Sequence, residues 1–182
     1  MSEIVIVGIA GSLRKGSLNR MLIENSARLA PAGMRIEAFP LNDVPVYDMD
    51  LEGSFPESVT RLKEVVKAAH GVLFAVPEHN YSYSGVLKNA IDWGSRPYGD
   101  GCWDRKPVIL QSASPGWAGG MRAQYHLRQV LNYFEMRQMY FPEVFVGGAH
   151  KKFDKAGALT DEFAADAIRK QLEAFAEFVR NP

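Results

Sequence analysis

Ile4 to Ile9 form an unbroken apolar run rich in β-branched side chains, and a glycine- and serine-rich stretch, Gly11 to Asn19, follows at once. Such a run suits a parallel strand buried on both faces, and a parallel strand needs a helical crossover before its neighbour. The rest of the chain obeys that constraint. Met34 to Phe39, Val72 to Val76, Pro107 to Gln111 and Val144 to Val146 read as four further strands, each separated from the last by a helical pattern. Ser17 is placed to cap the first helix, whose apolar face carries Leu18, Leu22 and Leu29 as far as about Ala30; Pro31-Ala-Gly33 then breaks it. Met34, Ile36 and Ala38 alternate with Arg35, Glu37 and Phe39, and Pro40 close by marks this strand as an edge. Ser54 and Glu57 have capping-box spacing ahead of a helix with Val59, Leu62, Val65, Val66 and Ala69 on one side, ended by Gly71. A third helix begins near Ser84 and a fourth runs to about Phe134. The last is expected to be capped at Thr160 with Phe163, Ala167, Ile168, Leu172, Phe175 and Val179 on one side.

Strict β-α alternation, repeated five times, predicts an α/β fold: a doubly wound five-stranded parallel sheet with helices on both faces. With a glycine-rich loop after the first strand, the expected strand order is the flavodoxin-like 2-1-3-4-5, with a ligand at the switch point beside strand one. The chain shows no linker, repeat or low-complexity tract, so residues 1–182 are expected to form one domain. The loops after strands one, three and four then converge on one crevice.

Composition removes several function classes. Lys plus Arg and Asp plus Glu stand at 21 each, so there is no global basic field for nucleic acid or an acidic membrane. No apolar run approaches the roughly 20 residues of a membrane span, and residues 1–12 lack the basic start of a signal peptide. A single Cys102 forbids an internal disulfide and fits a reducing compartment, so a cytoplasmic location is expected.

The first loop suits a phosphate. Gly11 and Gly16 let backbone amides approach an anion at the positive end of a helix, Ser12, Ser17 and Asn19 add neutral donors, and Arg14 adds charge. It is neither a Walker loop, because Ser17 stands where the lysine would be, nor a dinucleotide fingerprint, because Gly8 and Gly11 are wrongly spaced. A Ser/Asn-rich turn that only caps a helix would look the same. Pro77 to Tyr83 is dense in polar and aromatic groups, and the amides of residues 78 to 81 suit the heteroatoms of a planar ring. Surface packing of Tyr81 and Tyr83 is the plainer alternative. Lys88 and Asp92 have the spacing of a solvated helix pair. Ser112 to Gly120, with Trp117, suits a ring edge or lid, or a flexible loop. His70, His126 and His150 are isolated, His79 alone is no metal set, and no catalytic triad is legible. No catalytic residue and no metal site is therefore expected. That lack suits a protein whose cofactor carries the chemistry.

Gly11-Ser-Leu-Arg-Lys-Gly-Ser-Leu-Asn19, Pro77-Glu-His-Asn-Tyr-Ser82, Gly85-Val-Leu-Lys-Asn-Ala-Ile-Asp-Trp93 and Gly119-Gly-Met-Arg-Ala-Gln-Tyr-His-Leu-Arg128 together resemble the NAD(P)H-dependent FMN reductase family. Within it they look closest to bacterial quinone reductases, also described as class I chromate reductases. The resemblance implies bound FMN, NAD(P)H as co-substrate, and quinones as acceptors, with chromate, azo dyes and metal ions as further ones. It places Gly11, Ser12, Leu13, Arg14, Ser17, Leu18 and Asn19 around the cofactor, with Ser12, Arg14, Ser17 and Asn19 on the phosphate. Pro77, Glu78, His79, Asn80 and Tyr81 would line the isoalloxazine, and Ser112, Ser114 and Gly116 its other side. The family commonly has Tyr where this chain has His79. Family members form homodimers and often homotetramers, and Arg122, Tyr125 and Glu143 match tetramer-contact positions. Glu78 is the only acid in the third and fourth loops, whereas a one-electron carrier of this fold keeps acids around its flavin; a reductase is therefore expected. A flavodoxin-like electron carrier and a non-enzymatic FMN-binding partner are the rival readings.

Overall fold

The computed structural model describes residues 3–181; Met1, Ser2 and Pro182 lie outside the described residues, so the reading of residues 1–12 is tested only from Glu3 onward. In chain order the strands are β1 (Ile4–Ala10), β2 (Met34–Phe39), β3 (Gly71–Ala75), β4 (Glu78–His79), β5 (Ser82–Tyr83), β6 (Pro107–Ala113), β7 (Arg137–Gln138) and β8 (Val144–Val146). The α-helices are α1 (Leu18–Leu29), α2 (Glu57–Ala68), α3 (Gly85–Gly94), α4 (Met121–Asn132) and α5 (Glu162–Arg180).

The main sheet is parallel throughout and ordered β2-β1-β3-β6, with β7 and β8 sharing the place beyond β6. β7 pairs with Pro107 and Val108, and β8 pairs with Gln111, Ser112 and Ala113. The fifth position is thus one interrupted strand, and the expected 2-1-3-4-5 order holds. Sequence reading finds only its second half, because Arg137-Gln138 is two polar residues with no periodicity to read.

Alternation along the strands assigns the helices to faces. Val7, Ile9, Val72, Phe74, Val108 and Leu110 pack with Leu62 and Val66 of α2, Leu87 and Ile91 of α3, and Leu127 and Leu131 of α4. Ile4, Ile6, Leu73, Ile109 and Ala113 meet Leu22 and Ile23 of α1 and Ile168, Leu172 and Phe175 of α5 on the opposite side. The three α5 side chains are fully buried, each contributing about 1.5–3 kcal/mol relative to exposure. Gln111 also points to that second face, where Ser26 donates to its Oε1 (2.8 Å) and its amide donates to Gln171 (3.0 Å), so the buried carboxamide is satisfied. No helix among the described residues is long and apolar enough to cross a membrane.

Several expected boundaries move. The Ser54–Glu57 capping box does not form, since Pro56 takes the N-cap position of α2 without any side-chain bond. Asp161 rather than Thr160 caps α5, accepting from the Ala164 amide at 2.9 Å, while the Thr160 hydroxyl donates to the Lys152 carbonyl. Phe163 is 83% exposed, because the buried stripe of α5 starts one residue later at Ala164. β6 extends to Ala113, two residues beyond the expected end.

Candidate functional site

Register brings three chain segments to one edge of the sheet. Ala10 lies beside Ala75, and Ala75 beside Gln111. Two further backbone bonds carry the ladders past the strand ends, from Gly11 N–H to Ala75 O (3.0 Å) and from Val76 N–H to Gln111 O (2.8 Å). The loops after β1, β3 and β6 therefore leave the sheet side by side at its C-terminal edge, where open α/β sheets bind ligands.

In the first loop, Ser17 caps α1 with its hydroxyl oxygen accepting from Arg20 N–H at 3.3 Å, and no acid occupies the first turn. The amides of Lys15, Gly16, Leu18 and Asn19 have no acceptor among the described residues, and those of Leu18 and Asn19 belong to the orphan set expected at a helix start. Leu13 and Arg14 are exposed, and the Ser12 hydroxyl accepts from Arg14 N–H. Asn19 is buried: its carbonyl oxygen accepts from Ala113 N–H (3.1 Å) and its amide donates to Ala113 O (3.0 Å). One amide hydrogen of Asn19 remains for a ligand, so this residue mainly ties the first loop to the end of β6. The two loop glycines differ. A Cβ on Gly11 would lie 2.9 Å from Pro77 Cδ and Ser84 Oγ, whereas one on Gly16 would meet nothing within 4 Å. The Ser84 hydroxyl also donates to the Gly11 carbonyl at 2.6 Å, locking the first and third loops together.

The third loop is a hairpin, which periodicity over so few residues does not reveal. β4 and β5 pair antiparallel around Asn80 and Tyr81, whose φ angles are 49° and 69°. Two positive φ values are what a two-residue type I′ connection requires; Asn accepts this readily, whereas Tyr81 is held in a sparsely populated region. What holds it is α4. The Glu78 side chain is only 11% exposed and its Oε1 takes both Arg122 Nε (2.6 Å) and Nη2 (2.5 Å). Arg122 in turn lies 3.9 Å from the centre of the Tyr81 ring. Arg122→Met should leave Glu78 unpaired and release the turn; hydrogen exchange at the His79 and Ser82 amides is expected to accelerate. Lys88 and Asp92 form the expected surface pair on α3 at 2.6 and 2.8 Å.

A protein-family model described as NADPH-dependent FMN reductase matches residues 4–151. An NAD(P)H-dependent FMN reductase of Pseudomonas aeruginosa is 43% identical over 179 residues, spanning 98% of this chain and 96% of that protein. A quinone reductase of Escherichia coli is 43% identical over 185 residues, spanning 99% and 98%. The chain belongs to the NADPH-dependent FMN reductase family. Among solved structures, FerB, described as a flavoenzyme NAD(P)H:(acceptor) oxidoreductase from Paracoccus denitrificans, superposes with a TM-score of 0.90 at 35% identity, covering 97% of each chain.

Members of this family imply FMN, and the crevice can be tested for fit to it. The orphan amides beside Ser17 and Arg14 suit a phosphate monoester, and the hairpin and fourth loop supply two walls for a planar ring. A cavity of about 450 Å³ lies on the outer side of the first loop, where Arg14, Gly16, Leu18 and Met21 face Pro115, His150 and Phe153, and it touches no residue of the hairpin. The residues fit the group. His150 and Phe153 are absent from the sequence-based site; they follow β8, more than 130 positions from Arg14, and carry no local signal. Ser112 is the correction in the other direction. It lies inside β6, fully buried, with its oxygen accepting from Gln124 Nε2 at 2.7 Å, so it faces α4 and not the crevice. Ser114 and Gly116 do lie on the fourth loop, where Gly116 N–H donates to Ser114 Oγ at 3.0 Å.

Cys102 and His70 are accounted for by packing. Burial pushes the Cys102 thiol up to about 12, against the weaker pull of Lys63, so it stays protonated at neutral pH. His70 accepts from Val5 N–H at 3.1 Å and pins the end of β1. No cluster of three metal-ligating side chains exists among the described residues.

Proposed function

We propose that the chain is an NAD(P)H-dependent quinone reductase that holds FMN in the three-loop crevice, with residues 1–182 acting as one FMN-binding domain. The single observation that carries this reading is the set of free amides at the start of α1, beside exposed Arg14, facing loops from β3 and β6. FMN, when bound, supplies hydride exchange between the nicotinamide and the acceptor. The chain's own groups bind and orient. Leu18 and Asn19 amides with the Ser17 hydroxyl would hold the phosphate, and the backbone of Pro77, Glu78, His79, Asn80 and Tyr81 would border the ring opposite Ser114 and Gly116. Gly11 keeps the first and third loops in register, so that phosphate and ring are held at a fixed separation.

The charge of the third loop favours a reductase over a one-electron carrier. Its only acid, Glu78, is neutralised by Arg122 and adds no net negative field beside the ring. The exposed crevice is permissive, so chromate, azo dyes and metal ions are further acceptors to be assayed. A reducing compartment such as the cytoplasm suits the lone buried Cys102. Assembly into homodimers or homotetramers is supported by exposed aromatics around α4, with Tyr125 at 43%, Tyr133 at 72% and Phe141 at 75%. The buried Arg128 guanidinium, which has no hydrogen-bond acceptor among the described residues, lies on the same helix.

Steady-state consumption of NADPH or NADH with a benzoquinone acceptor is the test. Turnover that depends on added FMN is expected. Protein that binds FMN yet oxidises neither nucleotide would point instead to a carrier or a non-catalytic binding partner.

A further inference from the structure

Two histidines left without a role in the reading above converge on the third-loop hairpin. His79 and Ser82 are direct partners across the β4–β5 pair. Opposed residues of an antiparallel pair project to the same face with Cβ atoms about 4.5–5.5 Å apart. From α4, His126 brings its Nδ1 to 3.3 Å from the Ser82 hydroxyl. Both imidazoles are solvent-accessible, and Ser82 stands between them, paired with His79 across the hairpin and in contact with His126.

We propose that this row is a proton path for acceptor reduction, with His79 as the group that protonates the acceptor. The proposal rests on the quinone-reductase reading. Turning a quinone into a hydroquinone consumes two electrons and two protons. The nicotinamide supplies the electron pair and one proton as a hydride and leaves as NAD(P)⁺; the second proton has to come from another source. It leaves the His79 imidazolium for the quinone oxygen as the new O–H bond forms. His79 is then recharged through the Ser82 hydroxyl, which passes on a proton from His126 Nδ1, and His126 is refilled from solvent. Electrons and protons balance with no further reactant.

The neighbouring charges leave this task to the imidazoles. From α4, Arg122 and His126 face the hairpin, and the hairpin's own titratable groups besides His79 are Glu78, Tyr81 and Tyr83. Glu78 holds Arg122 through Oε1, its Oε2 is buried with no hydrogen-bond partner among the described residues, and Tyr81 lies against Arg122. Tyr83 has its hydroxyl raised by burial, opposed by Lys88, which is itself paired with Asp92. Imidazole is the side chain whose charge ordinarily changes between about pH 5 and 8.

The test compares benzoquinone with ferricyanide, which accepts electrons without protons, from about pH 5 to about 9 across the imidazole range. The ratio of the two rates cancels any change in flavin loading. His79→Gln is expected to lower that ratio roughly tenfold, less than a shielded general acid contributes because water reaches this site. His126→Gln should lower it in part. His79→Tyr should restore it and carry the alkaline limb upward, since a phenol titrates near about 10. Independently of activity, the His79 ring resonances are followed by NMR, and His126→Gln is expected to shift them. An unchanged ratio in His79→Gln, or the same alkaline limb in His79→Tyr, overturns His79 as the acid. Unshifted His79 resonances overturn the link to His126. Wild-type protein that oxidises NAD(P)H with neither acceptor defeats the reductase reading itself, a result distinct from all of these.

Discussion

Gly11→Ala is expected to weaken FMN binding by roughly tenfold, which corresponds to about 1.4 kcal/mol. The added methyl carbon would fall 2.9 Å from Pro77 Cδ and Ser84 Oγ and 3.1 Å from Leu87 Cβ, all closer than carbon contacts tolerate. None of the three neighbours is the free end of a flexible chain. The first loop must therefore lift away from the third, straining the Ser84–Gly11 bond and altering the separation of the phosphate and ring contacts. Overpacking of this kind costs about 1–3 kcal/mol in stability. Fluorescence titration of FMN and urea unfolding read the two effects separately. Gly16→Ala is the control for folding. A Cβ there meets nothing within 4 Å, so the unfolding midpoint should not move.

The second large effect is expected at Asn19. Asn19→Ala strips the Ala113 N–H and C=O of their buried partners at once. Each unsatisfied buried group costs about 1–3 kcal/mol, so a loss of roughly 2–4 kcal/mol is expected, allowing for partial relaxation. For a chain of this size that lowers Tm by several degrees. Asn19→Asp keeps the acceptor for Ala113 N–H but sets a buried carboxylate oxygen against the Ala113 carbonyl oxygen, so it should not rescue the alanine variant at neutral pH. Equal stability of wild type and Asn19→Ala would mean that the link from the first loop to β6 is dispensable.

Both effects show what the sequence does and does not carry. The sheet is legible because β1, β3 and β6 carry long apolar runs and helical stripes lie between them; their order is expected from five β-α repeats with a glycine-rich loop after the first strand. The first loop is legible because Gly11, Ser17 and Asn19 stand at a strand-to-helix junction. Contacts across the crevice are not. That Gly11 is demanded by Pro77 and Ser84 while Gly16 is not depends on packing between segments more than 60 residues apart. Ser112 illustrates the opposite error. Ser-Ala-Ser before Pro115 has the composition of a loop, yet the pairing of Gln111, Ser112 and Ala113 with β8 keeps it in the sheet. The same holds for the hairpin, since Asn80-Tyr81 is a weak type I′ signal that Glu78 and Arg122 enforce from outside the turn. His150 and Phe153 come beside Arg14 and the first loop only through the fold.

Flavin absorption is the most direct measure of whether the three-loop crevice is a site for FMN-mediated transfer. Purified protein is mixed with FMN under anaerobic conditions, freed of unbound flavin, and treated with NADPH and then with a benzoquinone. Retained visible flavin bands that bleach with NADPH and return with the quinone are the expected result. Protein that gains no flavin bands, or whose bands ignore both additions, would contradict it.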